Sequence, residues 1–250
     1  MIGVIPAILK PPMMYPCPPE MLPAGSFVVG ETTCIKPVSQ YLVENMILAG
    51  VESLAIVVNE HKEDVMRYFQ GGGYFGLPIA YLWSQGHSLA AGIDAAFHIV
   101  ERQIVLVGVP GIIVPPPFLP QMASVLDSTG ADIVAAVQSK PRHGVTAGAT
   151  GGATAKDVQG KMIGAYCWTP RFTSFLRDRV VAQVVARKES TLESVILDAI
   201  QSGLGVTSVA PDQYLALYNN SWGAYYEPVM PRMVPDARRV VKQIEEPALM

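Results

Sequence analysis

Asp94 and His98 stand four residues apart in a stretch of helical periodicity, a spacing that puts a carboxylate and an imidazole on one face. Such a pair could ligate a divalent metal, but a hydrogen-bonded surface pair fits the same spacing and is far commoner. Lys10 and Lys156 fall in loop segments, where a lysine can balance a phosphate or simply stay solvated. Gly71-Gly72-Gly73 and Gly151-Gly152 have the composition of a phosphate loop, yet neither stands between a buried strand and a helix start. His61 and His143 have no carboxylate at motif spacing and receive no role. No Asp-x-Asp occurs in the 250 residues, which removes the metal motif that a glycosyltransferase of layered fold would need. Tyr218, Trp222, Tyr225 and Tyr226 could stack on a planar ligand, although interface or core packing uses the same residue types.

The elements that must position any site are arranged around Gln103 to Phe118. Ile104 to Val107 is too short for a helix and β-branched enough for a strand buried on both faces, so it reads as the central parallel strand. Such strands aim their carboxyl ends at the ligand crevice of an open α/β sheet. After Val107 the chain continues as Gly108-Val109-Pro110-Gly111, with no side chain able to hold a metal or move a proton.

The flanking elements alternate. Met1 to Pro6 is a first strand, and the seven prolines from Pro6 to Pro23 make the next stretch an irregular loop, because proline fixes φ and donates nothing to a ladder. Lys36-Pro37 is read as opening a helix with proline at its first position, Val38, Tyr41, Leu42, Asn45 with Met46, and Ala49 following at helical spacing and Gly50 in the left-handed cap. Next come a strand at Ser53 to Asn59, a helix at His61 to Gln70, a strand at Leu77 to Trp83 and a helix at Ser88 to Val100. The turn Ser84-Gln85-Gly86-His87 joins the last two. Beyond the central strand come a helix over Phe118 to Ser128, a strand at Asp132 to Gln138, a Gly/Ala/Thr-rich excursion at Gly144 to Gly152 and a strand at Met162 to Trp168. Thr169 caps a helix with Pro170 at its first position, and Ser190 with Glu193 forms a capping box for a helix with Leu192, Val195, Ile196 and Ile200 inward. Gly205 to Ala210 is a strand, Tyr214 to Tyr218 an edge strand and Val234 to Glu246 a terminal helix. This alternation, with no break in composition, predicts one α/β domain over residues 1–250: three layers, a mostly parallel central sheet and helices on both faces.

Composition narrows the partners. A net charge of −3 with no Lys/Arg cluster leaves no electrostatic footprint for nucleic acid or an anionic membrane. The uncharged run from Gln103 to Leu126 has the length of a membrane span, but prolines at 110, 115, 116, 117 and 120 would strip a helix of donors that lipid cannot replace. Charged residues are 16% of the chain, against about 25% in typical domains. Partner subunits are therefore expected to cover much of the surface, which predicts a homo-oligomer. Cys17, Cys34 and Cys167 are widely spaced in apolar context and are read as reduced, buried thiols of a cytoplasmic protein. No basic N-terminal region precedes an apolar run, so no signal peptide is expected.

Four strings, in order, resemble the sugar-1-phosphate nucleotidyltransferases, the family of glucose-1-phosphate thymidylyl- and uridylyltransferases. Lys36-Pro37-Val38 through Leu48-Ala49-Gly50-Val51 is similar to the family's "KP…Y.L..M..AGI" helix, and Glu20 to Gly25 to its "KELLPVG" run without the lysine. Val107 to Ile113 resembles "GDNIF" or "GMPDIIF", and Trp168-Thr169-Pro170-Arg171-Phe172 resembles "WTPRF..FL". The resemblance implies a nucleotide-diphospho-sugar transferase-like fold and transfer of a nucleotide to a sugar 1-phosphate with magnesium and release of pyrophosphate. It further implies that Gln85 and Gly86 stand where the family reads the pyrimidine edge, an ordinary turn being the simpler account, and that Lys156 lies near its sugar-phosphate lysine, though followed by Asp157 rather than proline.

The departures fall on the family's working positions. Its first strand runs into G-x-G-T-R-L, whose free amides cradle the phosphates and whose arginine balances pyrophosphate. Here Ile8-Leu9-Lys10-Pro11-Pro12-Met13 stands instead, with no glycine and two donor-less residues, so the nest cannot form in the family's manner. The family's lysine falls on Pro19, its first metal-binding aspartate on Gly111 and its second on Ala216. Phosphoryl-type transfer depends on positioning and charge neutralisation, so losing all of these should slow it by orders of magnitude. The expectation is a pseudoenzyme with no catalytic residues, no resident metal and no cofactor, acting as a binding, regulatory or assembly protein with itself or an active paralogue and retaining at most a nucleotide or sugar-phosphate site. The alternative is an active transferase using magnesium held by other carboxylates, such as Asp94 or Asp212.

Overall fold

A computed structural model describes residues 1–8, 17–29, 31–86, 88–138, 162–186 and 191–216. In chain order the strands among them are β1 (Ile2–Ala7), β2 (Pro23–Val29), β3 (Thr32–Pro37), β4 (Ser53–Val58), β5 (Ile79–Trp83), β6 (Val105–Gly108), β7 (Ile112–Ile113), β8 (Ile133–Val137), β9 (Met162–Trp168), β10 (Val206–Val209) and β11 (Leu215–Ala216). The helices are α1 (Val38–Leu48), α2 (Glu63–Phe69), α3 (Leu89–Asp94), α4 (Phe97–Val100), α5 (Phe118–Thr129), α6 (Pro170–Val185) and α7 (Leu192–Gln201). Short 3-10 turns occupy Pro19–Met21 and Gly73–Phe75.

Seven strands form one sheet in the order β10-β8-β9-β6-β1-β4-β5. β1 lies parallel to both β4 and β6, while β9 runs antiparallel to its neighbours β6 and β8. The sheet is thus mostly parallel, as the alternating sequence predicts, and β6 is its middle strand, though one of β6's two partners is antiparallel. Alternate side chains of each strand feed two cores. Ile5, Ala7, Ile56 and Leu106 pack with Leu42 and Met46 of α1 and Met122 of α5. Val4, Val57, Val105 and Val107 pack on the opposite face with Ile93 of α3, Phe172 and Leu176 of α6 and Val195 of α7. Strands buried on both faces read as continuous apolar runs for this reason.

Several local expectations shift. Pro37 ends β3 in an extended conformation and occupies the N-cap, so α1 begins at Val38 instead of at the proline. The Val38 amide donates to the Leu22 carbonyl at 3.0 Å, a tertiary bond that holds the entry extended. The helix expected over Ser88 to Val100 divides at Ala95 and Ala96, where Ala96 N–H and Ile99 N–H take tighter three-residue bonds. Thr169 does stand at the N-cap of α6, but its hydroxyl bonds the Asp132 carbonyl at 3.3 Å and leaves its own helix uncapped. α7 is capped one residue later than expected, by Thr191, whose hydroxyl accepts from Ser194 N–H at 3.1 Å. Ala199 rather than Ile200 completes its fully buried stripe.

The β2–β3 hairpin has no counterpart among the expected elements. Its ladder pairs Ser26 with Ile35 and Val28 with Thr33, and Val28 and Ile35 are both exposed, so it lacks the inward-apolar alternation by which a strand is recognised. Of the cysteines only Cys167 is buried; Cys34, within β3, and Cys17, just before the Pro19–Met21 turn, are half-buried, and all three are free. No helix among the described residues is long and apolar enough to cross a membrane. The excursion at Gly144 to Gly152, the aromatic cluster at Tyr218 to Tyr226, His143 and the helix expected at Val234 to Glu246 lie outside the described residues.

Candidate functional site

From β1 the chain moves outward through β4 to β5, then returns to place β6 on β1's other side. The strand order therefore reverses between β1 and β6, and an open α/β sheet offers its ligand crevice beyond the carboxyl ends at such a point. Four chain segments meet there or beside it: Ala7-Ile8, Asn59, Ser84 to Gly86, and Gly108 to Val114.

Asn59, just past β4, donates its side-chain amide to the Ile8 carbonyl at 2.6 Å and so fixes where the chain leaves β1. Ser84, just past β5, donates its N–H to the Val58 carbonyl at 2.9 Å and accepts the Gly86 N–H at 3.2 Å. Gln85 is exposed beside it. A Cβ at Gly86 would lie 2.7 Å from the Ala91 Cβ, so contact with α3 already requires glycine there. Lys156 and Lys10 lie outside the described residues, as do residues 9–16 of the first loop.

Past β6 every residue from Val109 to Val114 is buried. Val109 N–H bonds the Gly164 carbonyl at 2.8 Å, and Gly111 adopts φ +99°, a region that L side chains rarely enter. β7 then pairs antiparallel with β11 in a register that sets Ala216 opposite Ile112. The two positions to which the resemblance assigned metal aspartates are thereby brought together by the fold, one as the chain neighbour of Ile112 and the other as its ladder partner. They carry glycine and alanine.

Two buried lysines are each neutralised by a glutamate. Pro19 stands in the 3-10 turn that also holds Glu20, whose carboxylate receives Lys62 Nζ at 2.8 and 2.9 Å with both side chains buried. Ser39 on α1 donates to the Glu20 carbonyl at 2.6 Å. Lys36 is ion-paired with Glu44 in full burial and sits 3.8 Å above the Tyr41 ring, while Gln40 donates to the other Glu44 oxygen at 2.8 Å. Burial pulls the Lys36 ammonium down from its ordinary range and pushes the Glu44 carboxyl up, each opposed by its partner. Burial likewise raises the Cys167 thiol to about 12, and the Cys17 thiol is raised by burial and then by Asp64 and Glu20, so neither is a reactive thiolate near neutrality.

The carboxylates offered as substitute metal ligands do not converge. Asp94 ends α3 and is paired with Arg177 of α6, while His98, in α4 beyond the break, still lies close enough to act on the Asp94 carboxylate. Asp212 is exposed. Among the described residues no group of three or more His, Cys, Asp or Glu side chains could hold a metal ion. Sequence reasoning missed Asn59, Ser84 and both buried ion pairs. Glu20-Met21-Leu22-Pro23 and Cys34-Ile35-Lys36-Pro37-Val38 held a local signal, a charged residue inside an otherwise apolar string.

The sequence matches no protein-family model and no curated protein. Its architecture is similar to several solved structures. A UDP-glucose pyrophosphorylase complexed with UDP-glucose superposes with a TM-score of 0.64 at 16% identity, over 95% of this chain and 98% of that one. A putative glucose-1-phosphate thymidylyltransferase from Bacillus anthracis in complex with sucrose gives 0.64 at 14% identity, over 100% and 98%. A UTP-bound UGPase from Acinetobacter baumannii gives 0.64 at 15%, over 99% and 95%. The chain has a sugar-1-phosphate nucleotidyltransferase-like fold, and likeness at these identities extends to the fold alone.

Proposed function

We propose that this protein uses the nucleotidyltransferase fold without its transfer chemistry, acting through binding and assembly, either as a homo-oligomer or as the regulatory partner of an active relative. One observation carries the reading: the β7–β11 ladder sets Ala216 opposite Ile112, beside Gly111, and neither of these two positions, to which the resemblance assigns metal-binding aspartates, has a carboxylate. Transfer of a nucleotidyl group needs neutralised oxygens on both the attacking and the leaving phosphate. Pro19 presents no cation, and the buried Lys36 and Lys62 are each held by a glutamate. On this reading the protein carries no resident magnesium and no cofactor, and its three free cysteines suit a reducing cytoplasm.

The test is pyrophosphate release from UTP or dTTP with glucose 1-phosphate and magnesium. The expected rate is the uncatalysed background. Robust release would refute the reading and establish the alternative of a working transferase. Light scattering during size-exclusion checks assembly, and a clean monomer at high concentration, with or without an active relative added, would remove that part.

A further inference from the structure

The two faces of the β2–β3 ribbon are unlike. Side chains alternate along a strand, so the registered pair Phe27 and Cys34 shares the inner face with Lys36, while Ser26, Val28, Thr33 and Ile35 share the outer one. The inner face is anchored: Phe27 lies against Tyr74 with ring centroids 6.0 Å apart, and Lys36 makes its buried pair with Glu44. The Glu20–Lys62 pair fixes the turn just ahead of β2, so both feet of the ribbon are tied down by buried ions, and rolling it over would break a buried pair. On the outer face all four side chains are exposed, Val28 by 57% and Ile35 by 64%, and none is charged. Single exposed aliphatic residues are ordinary, but a ribbon held with two diagonal neighbours outward and no charge between them lacks the usual protection against association. The ladder sets Ser26 opposite Ile35 and Val28 opposite Thr33, so the aliphatic residues occupy one diagonal and the hydroxyls the other. A two-fold axis along either diagonal lays like on like, aliphatic on aliphatic and hydroxyl on hydroxyl, with no like charges to repel. That self-complementarity is what a symmetric contact between two copies requires.

We propose that the outer face of the β2–β3 hairpin is the surface through which two copies of this chain pair, Val28 and Ile35 of one copy stacking on those of the other about a two-fold axis. The dimer rests on the assembly part of the preceding reading and gives it a surface. Its strength follows from its size. Strands of seven and six residues make a face of roughly 20 by 10 Å, or about 200 Å² per copy. A stable complex covers about 800 Å² per partner, so the pairing belongs to the weak, concentration-dependent class.

Sedimentation velocity of the full chain over a concentration series, with a thermal melt to check folding, tests it. The native protein is expected to shift from monomer to dimer as its concentration rises. Val28→Lys combined with Ile35→Lys stacks like charges across either axis and should raise the dimer Kd by at least about a hundred-fold. Val28→Glu combined with Ile35→Glu should fail in the same way, and mixing the lysine and glutamate variants should restore a dimer, because either axis then sets lysine against glutamate. If the charged variants do not melt cooperatively, Val28→Thr with Ile35→Thr decides. It keeps the β-branching and should weaken the dimer about ten-fold by removing apolar area. Charged variants that associate like the native chain, a mixture without recovery, or a threonine variant of native affinity overturns the proposal. An oligomer that survives the lysine variant would leave the assembly reading standing on another surface, whereas a native protein that stays monomeric throughout would remove both. Pyrophosphate release would sink the loss of transfer and leave the dimer untouched.

Discussion

Replacing Glu44 by alanine should destabilise this fold more than any surface substitution. Lys36 and Glu44 are both about 2% exposed. Once the carboxylate is gone, the Lys36 ammonium keeps only the Tyr41 ring beneath it, and Gln40 loses its acceptor. Removing one partner of a buried pair typically costs about 3–5 kcal/mol, because the remaining charge stays desolvated and uncompensated. For a domain of this size each kcal/mol moves the midpoint by roughly 2–4 °C, so Glu44→Ala should melt about 6–20 °C lower. Lys36→Met combined with Glu44→Leu removes both charges and keeps the volume, and should return to within about 2 kcal/mol of the native protein. Urea unfolding and a thermal melt followed by circular dichroism measure both variants. A cost under about 1 kcal/mol for Glu44→Ala, the value of a solvated pair, would refute the buried geometry. So would a double variant as unstable as the single one.

Thr173→Val should cost about 1–3 kcal/mol in urea unfolding, because the buried Trp168 indole N–H then loses its acceptor at 3.0 Å. The protein should weaken between pH 10 and 12. Burial raises Tyr41 and Tyr81 from 10.0 to about 12, so the unfolded chain ionises first. Their contribution is fully present below pH 10 and is lost as pH rises through 12, and unchanged urea midpoints across that window would contradict it. Gly111→Asp should lower stability by about 1–3 kcal/mol, since φ +99° strains any L side chain. Paired with Ala216→Asp it should still release no pyrophosphate above background, and a measurable rate would show that the carboxylates were the only missing parts.

Much of the scaffold was legible because its signals are local. Apolar runs such as Val105 to Gly108 and Ile133 to Val137 cannot face water on either side, so each declares a strand sandwiched between helix layers. Gly50 at φ +82° and Gly203 at φ +78° close α1 and α7 where a left-handed residue was expected. The residue types at positions 19, 111 and 216 were equally plain in the chain itself. Tertiary structure alone decided what those residues stand beside. Ala216 reaches Ile112 across more than a hundred residues, Lys62 finds Glu20 across 42, and Asn59 finds Ile8 across 51. Such contacts depend on the order in which strands join the sheet, and no periodicity within a segment encodes that order. The hairpin stayed hidden for a related reason: with Val28 and Ile35 turned outward, its pattern contradicts the burial rule by which strands are read. That Ile8 packs against Gly92 of α3 was likewise decided only by the tertiary structure.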